Sequence, residues 1–125
     1  MSAKVFALIL ISVSMSAVAQ IALKTGMSTP NVGSALATGD RGSELVAAAF
    51  SPMVWLGLGL YGLGAVLWLF VLARVDVSAA YPFVGLGFIL TMGLGAFFLG
   101  EQIGGLRLVG TVLVSVGVYL VAQST

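Results

Sequence analysis

Cysteine and histidine are both missing from this chain of 125 residues. Without them there are no disulfides and no thiolate chemistry, and a transition-metal site or an imidazole-based nucleophile relay is not expected. Charge is scarce as well. Five basic and four acidic residues make up 7% of the chain and leave a formal net charge of +1. That balance gives no electrostatic footprint for nucleic acid. Neither a Gly-rich nucleotide loop nor a pair of acids at catalytic spacing is present. The chain is therefore read as a non-enzyme with no cofactor, no metal and no nucleic-acid partner.

What the chain has in quantity is apolar sequence. Four uncharged stretches cover 5–23, 45–73, 77–100 and 108–125, and the mean hydropathy is +1.19. A run of about 18 or more apolar residues crosses the ~30 Å hydrocarbon layer of a bilayer. A water-soluble domain of this size has too little interior to hide so much apolar surface. The expected fold is an all-α membrane protein, a single domain over 1–125. Its four transmembrane helices are placed at about 4–25, 52–73, 78–100 and 107–122.

The first stretch has a competing reading. Lys4, the run from Val5 and Ala17-Val18-Ala19 before Gln20 resemble a signal peptide with a small-residue cleavage site. The uncharged run continues to Leu23, however, with Lys24 directly after it. This segment is read as a retained first span.

A long loop, 26–51, gathers the turn-forming residues: Thr29-Pro30-Asn31, Gly39-Asp40 and Gly42-Ser43. Within it Ser43 and Glu44 precede a short apolar patch, 45–50, which Ser51-Pro52 ends. Ser43 as a cap and Glu44 near the positive helix end suit a short helix. The alternatives are a partly ordered loop or an interfacial helix at the lipid headgroups, and the second is preferred. Pro52 suits the first turn of the second span. Trp55 fits an interfacial anchor, whereas Trp68 lies too deep for one and faces a cavity or a partner. Pro82 is tolerable in the first turn of the third span. The links around Arg74-Asp76 and over 101–107 allow only antiparallel neighbours.

Glycine is abundant, at 17 residues, and mostly sits inside the apolar runs. Gly57, Gly59, Gly62 and Gly64, then Gly85, Gly87, Gly93 and Gly95, suit close helix contact. Gly85-Leu86-Gly87, soon after Pro82, also suits a backbone that bends between two open states. Lys and Arg set orientation only weakly. Lys4 and Arg74 fall on one side, and Lys24, Arg41 and Arg107 on the other. Such a chain inserts both ways and pairs as an antiparallel homodimer, or takes its orientation from a partner. Four helices make a thin wall around any pathway, so at least a dimer is expected.

No acid falls in the middle of a span. Asp40 and Glu44 lie in the long loop, Asp76 in a link and Glu101 at the end of the third span. A mid-membrane carboxylate is the usual proton or cation exchange site. Its absence argues against simple proton-coupled export of a hydrophobic cation. Gln20 and Lys24, four residues apart, project from one face at the end of the first helix. The ammonium either snorkels to the interface or holds an anionic headgroup such as a phosphate, with Gln20 adding hydrogen bonds. Arg74 and Arg107 admit the same two readings. The Tyr81 hydroxyl meets a polar substrate or anchors at the interface. Glu101 opposes the helix dipole, which calls for a partner in Lys24, Arg107 or a cationic substrate group.

Several segments carry a family likeness. Ala19-Gln20-Ile21-Ala22-Leu23-Lys24 ends the first span, and Ser51-Pro52-Met53-Val54-Trp55-Leu56-Gly57-Leu58-Gly59-Leu60 opens the second. Leu67-Trp68-Leu69, Ala80-Tyr81-Pro82 and Leu99-Gly100-Glu101 follow. With these the chain resembles, over nearly its whole length, the four-helix members of the drug/metabolite transporter superfamily. Within that group it is most similar to the small subunits of the undecaprenyl-phosphate-aminoarabinose flippase. The resemblance implies movement of a polyprenyl-phosphate-linked sugar, or a similar amphipathic lipid, between leaflets of a bacterial inner membrane. It also implies pairing as a heterodimer with a related subunit. On this reading Lys24, with an Arg such as Arg74, holds the phosphate, Gln20 and Tyr81 bond the sugar, and Glu101 orients Lys24 or faces an amino group. The small multidrug resistance exporters are more distant relatives. Their pattern calls for a Glu about two turns before the Lys, where this chain has Ser16. A drug/metabolite exporter and a non-transporting accessory subunit of a membrane glycosyltransferase system are the alternatives.

Overall fold

The computed structural model describes residues 2–28, 34, 37, 39 and 41–124. Among them, four helical stretches are long and apolar enough to cross a membrane: Ala3–Met27, Pro52–Leu72, Val77–Phe98 and Gly105–Gln123. The expected all-α, four-span class is what the chain adopts.

Helix α1 (Ala3–Met27) begins at Ser2, whose Oγ accepts the Val5 N–H at 3.3 Å. That bond satisfies one of the backbone donors left open at a helix start. At 1.5 Å per residue α1 is about 37 Å long, more than the hydrocarbon layer needs. Its end is tied to the next span. Ser51, buried ahead of helix α3 (Pro52–Leu72), donates its hydroxyl to the Gly26 carbonyl at 3.5 Å.

Between them lies helix α2 (Arg41–Ala49), which contains no buried residue. Gly42 and Ser43, read from sequence as a turn and a cap, instead lie inside α2, because the helix already starts at Arg41. The turns expected at Thr29-Pro30-Asn31 and at Asp40 lie outside the described residues. Gly39 adopts a φ of +70°, a conformation open to residues without a Cβ. The Trp55 indole N–H donates to the Ala49 carbonyl at 2.7 Å and so fastens the end of α2 to the first turn of α3.

Helices α1 and α3 pack along most of their length, and small residues set how close they come. A Cβ on Gly57 would lie 2.7 Å from Leu23 Cγ and 3.0 Å from the Ala19 carbonyl oxygen. Lower down, the Ser12 hydroxyl donates to the Gly64 carbonyl at 2.7 Å across a buried contact. Backbones brought this near gain dispersion contacts and interhelical polar bonds, which drive association where lipid supplies no hydrophobic force.

The third span is interrupted. Helix α4 (Val77–Ala80) gives way to a 3₁₀ turn at Tyr81–Phe83 before helix α5 (Val84–Phe98). Pro82 has no N–H for the α-helical ladder, which accounts for the tighter turn. The break falls at the proline and not at Gly85-Leu86-Gly87, which lie inside continuous α5. Those glycines admit neighbours instead. Gly85 faces Val114 and Val118, and Gly87 lies against Val13. After α5, Gly100 turns the chain with a φ of +66°, and the Glu101 N–H returns to the Gly95 carbonyl at 3.2 Å.

Helix α6 (Gly105–Gln123) closes the bundle with a single buried residue, Val118. The apolar core gathers at the end of the molecule that carries Lys4 and Arg74. There Ile9, Val71 and Phe83 are fully buried, joined by Val5, Val13, Ala80 and Val118. The Phe6 and Phe83 rings meet edge to face at 6.1 Å. This plug fixes the Tyr81–Phe83 turn against α1, and the space just above it is where the spans separate.

Candidate functional site: a cavity between the spans

Where α1, α3 and the third span diverge, they enclose a half-open cavity of about 300 Å³. Its walls come from Ser12 to Gln20 on α1, Tyr61 to Trp68 on α3 and Tyr81 to Thr91 in the third span. Helical spacing explains the lining. Ser12, Ser16 and Gln20 recur every four residues, and Tyr61, Ala65 and Trp68 follow at four and then three, so each set shares one face.

The polar groups around this space are uncharged. The Ser12 hydroxyl is committed to Gly64. Ser16, Gln20, Tyr61, Tyr81 and Thr91 have no side-chain hydrogen bond to another described residue. No fully enclosed side-chain polar atom lacks a partner among the described residues. These groups therefore border open space and are not stranded in the packing. In a bilayer interior such donors and acceptors invite a polar guest, because leaving them unpaired costs free energy.

Of the five residues singled out from sequence, the cavity brings together Gln20 and Tyr81. Lys24 is exposed one turn beyond Gln20, past the end of the lining. Arg74 lies at the opposite end of the bundle, where its guanidinium Nη1 donates to the Phe70 carbonyl at 2.8 Å. Glu101 sits on the Lys24 side with its carboxyl folded against Gly95, so that a Cβ there would overlap its Oε1. No ion pair joins it to Lys24 or to Arg107 among the described residues, and Arg107 instead donates to the Gln102 carbonyl at 3.2 Å. Trp68 lines the cavity, one of the two placements expected for it. Sequence reasoning passed over Ser12, Tyr61 and Thr91, and took Ser16 only as the place of a missing acid. The four-residue recurrence Ser12-Ser16-Gln20-Lys24 was the signal that would have found the α1 wall.

This geometry defines a class: a helical protein of four membrane spans with a half-open, largely apolar cavity between them, edged by uncharged polar side chains. Comparison with known proteins narrows it. The chain is 39% identical over 75 residues to the probable 4-amino-4-deoxy-L-arabinose-phosphoundecaprenol flippase subunit ArnE of Pseudomonas savastanoi pv. phaseolicola. That match covers 60% of this chain and 66% of the relative. The ArnE of Pseudomonas aeruginosa strain UCBPP-PA14 is likewise 39% identical over 74 residues, 59% of this chain and 64% of the relative. The matches thus span just under two thirds of these two relatives. With the probable ArnF subunit of Shewanella sediminis the identity is 34% over 123 residues, covering 91% of this chain and 84% of that protein. No protein-family model and no solved structure matches. The chain belongs to the family of the 4-amino-4-deoxy-L-arabinose-phosphoundecaprenol flippase subunits.

Proposed function

We propose that this protein is a subunit of a flippase that moves a polyprenyl-phosphate-linked sugar between the leaflets of a bacterial inner membrane. The observation that carries the reading is the cavity between the spans with its uncommitted hydroxyl and amide groups. A headgroup that leaves water must exchange its hydration for such groups, while a prenyl chain loses nothing by staying in lipid. The cavity is half open, so a headgroup inside it remains connected to a chain outside.

The residues divide the work by depth. Gln20 and Tyr81 hydrogen-bond the sugar inside the cavity. Lys24, about 6 Å further along α1 by helical rise, takes the phosphate at one mouth. Arg74 offers a second charge for the phosphate at the opposite membrane face. Glu101 lies on the Lys24 side, where it meets the arriving headgroup or the lysine. The reading is transport and not catalysis: the groups in the cavity bind, and none is arranged as a nucleophile with its base.

The word subunit in the relatives' names suggests a partner, and α6 offers the surface for one. Leu106, Leu113 and Leu120 stand exposed along one face of it. We assign that face to a related subunit, with lipid covering it otherwise.

The test is leaflet exchange in liposomes loaded with a polyprenyl-phosphate-linked sugar, using the chain alone and paired with a related subunit. Gln20→Leu and Lys24→Met should each lower exchange at least tenfold while leaving thermal unfolding in detergent unchanged. Wild-type exchange by both variants would contradict the assignment.

A further inference from the structure

Helix α2 shows its apolar side outward. Glu44, Ala47 and Ala48 share one face by helical spacing and are half-buried, so this is the side turned to the rest of the molecule. Leu45 and Val46 lie on the opposite side, 73% and 57% exposed. Phe50 continues that side just past the helix end, where its N–H bonds the Val46 carbonyl at 3.2 Å, and it is 82% exposed. A surface helix in water does the reverse and buries its apolar stripe.

The position of α2 says what lies against this face. Ser51 is extended, with a φ of −85° and a ψ of 117°, so α2 does not run on into α3 as one rod. The bond from the Trp55 indole holds the end of α2 beside the first turn of α3. At 21 residues α3 is about 31 Å long, a match for the ~30 Å hydrocarbon layer, which puts that first turn at the layer's edge. The end of α1 meets it there, where a Cβ on Gly26 would lie 2.7 Å from the Val54 amide nitrogen. Trp55 and Leu56 begin the exposed side of α3 at this level, so the apolar face of α2 runs into a surface that lipid covers. The helix end suits such a place. Its Ala48 and Ala49 carbonyls, which a helix in water leaves to solvent, accept from the Ser51 N–H at 3.1 Å and from Trp55.

We propose that α2 is a lipid-binding element, with Leu45, Val46 and Phe50 set into the boundary between headgroups and acyl chains on the membrane face that carries Lys24. Apolar side chains in that boundary escape the water they would meet outside it, and this is what holds an interfacial helix down. The occupant is lipid, because this face is continuous with the exposed side of α3, whereas the face assigned to a related subunit is on α6. The inference goes beyond the flippase reading and does not depend on what the protein moves. It turns the surface helix suggested by the sequence into a defined contact, with named side chains toward lipid and Glu44 away from it.

The test reads depth in the full chain in phospholipid liposomes. Because the chain has no cysteine, a nitroxide label can be attached singly to Arg41→Cys, Val46→Cys and Phe50→Cys. Its relaxation is measured with oxygen, which enters lipid, and with a nickel chelate, which stays in water. The ratio of oxygen to nickel access should be at least roughly threefold higher for Val46→Cys and Phe50→Cys than for Arg41→Cys, as for an interfacial helix. Adding Leu45→Ser and Phe50→Ser to Val46→Cys should bring its ratio down toward that of Arg41→Cys. Equal ratios at the three sites would place α2 in water and overturn the proposal. Exclusion of both agents from Val46→Cys and Phe50→Cys would mean that protein covers the face, and would overturn it as well. An unchanged ratio after the two serine substitutions would overturn the role given to those side chains.

Discussion

Helices α1 and α6 are both long and uncharged through their apolar stretches, yet they hold different places in the molecule. Of the apolar stretch of α1, 39% is buried inside the chain; of that of α6, 6%. Helix α1 packs on α3 and α5, closes the core at Ile9 and supplies one wall of the cavity. Helix α6 touches the rest mainly where Val114 and Val118 meet Gly85, and where the Thr111 hydroxyl reaches Met92 Sδ at 3.3 Å. In lipid the exposure of α6 carries no hydrophobic penalty, since acyl chains are as apolar as leucine. The contrast is therefore one of role. One helix organises the fold and the site, and the other presents a face.

Identical substitutions on the two sides of this contrast should behave differently. The largest effect is expected at Gly57→Ala. The added methyl meets Leu23 and the Ala19 carbonyl oxygen, and a backbone oxygen has little room to retreat. Overpacking of this kind destabilises by about 1–3 kcal/mol, read as a lower unfolding midpoint in detergent. Ser12→Ala comes next. It removes the bond to the Gly64 carbonyl, and interhelical bonds in membrane proteins average roughly 0.6 kcal/mol with a maximum of about 1.7 kcal/mol, which bounds the expected loss. Gly110→Ala on α6 should be the mildest and of opposite sign. Nothing lies within 4 Å of its Cβ position, and replacing a mid-helix glycine by alanine stabilises by roughly 0.5–1 kcal/mol. If Gly110→Ala proved as damaging as Gly57→Ala, the division between the two helices would be wrong.

The spans were legible because a bilayer imposes one length and one solvent, and the runs from Val5, Leu45, Val77 and Leu108 satisfy both. Pro82 was readable as a feature of the third span, but its consequence was not. A proline near a helix start looks harmless until α4 is seen to occupy the turn before it. Trp55, expected as an interfacial anchor, sits in the first turn of α3, where its indole N–H donates to the Ala49 carbonyl. The cavity was only half legible. Gln20 and Tyr81 stand out from apolar sequence, whereas Ser12, Ser16 and Thr91 are small enough to pass for packing residues. The large apolar residues of α1 are spread around the helix, so only the four-residue recurrence of Ser12, Ser16, Gln20 and Lys24 marks the face that turns to the cavity. Charge drew attention to Lys24, Arg74 and Glu101, and the structure sets all three outside the cavity wall. Lys24 and Arg74 belong to the membrane's two faces, where a charge is cheap to keep.

The central claim is that water and a headgroup reach the middle of the bundle on the inward side of α1, α3 and α5. Because the chain contains no cysteine, a single one can be introduced without altering a background. Thr91→Cys, on the cavity wall, should react with a water-soluble, membrane-impermeant thiol reagent in liposomes and be protected by a polyprenyl-phosphate-linked sugar. Val116→Cys, exposed on α6, should stay unlabelled in lipid. An unreactive Thr91→Cys, or one that labels equally with and without the lipid, would contradict the account.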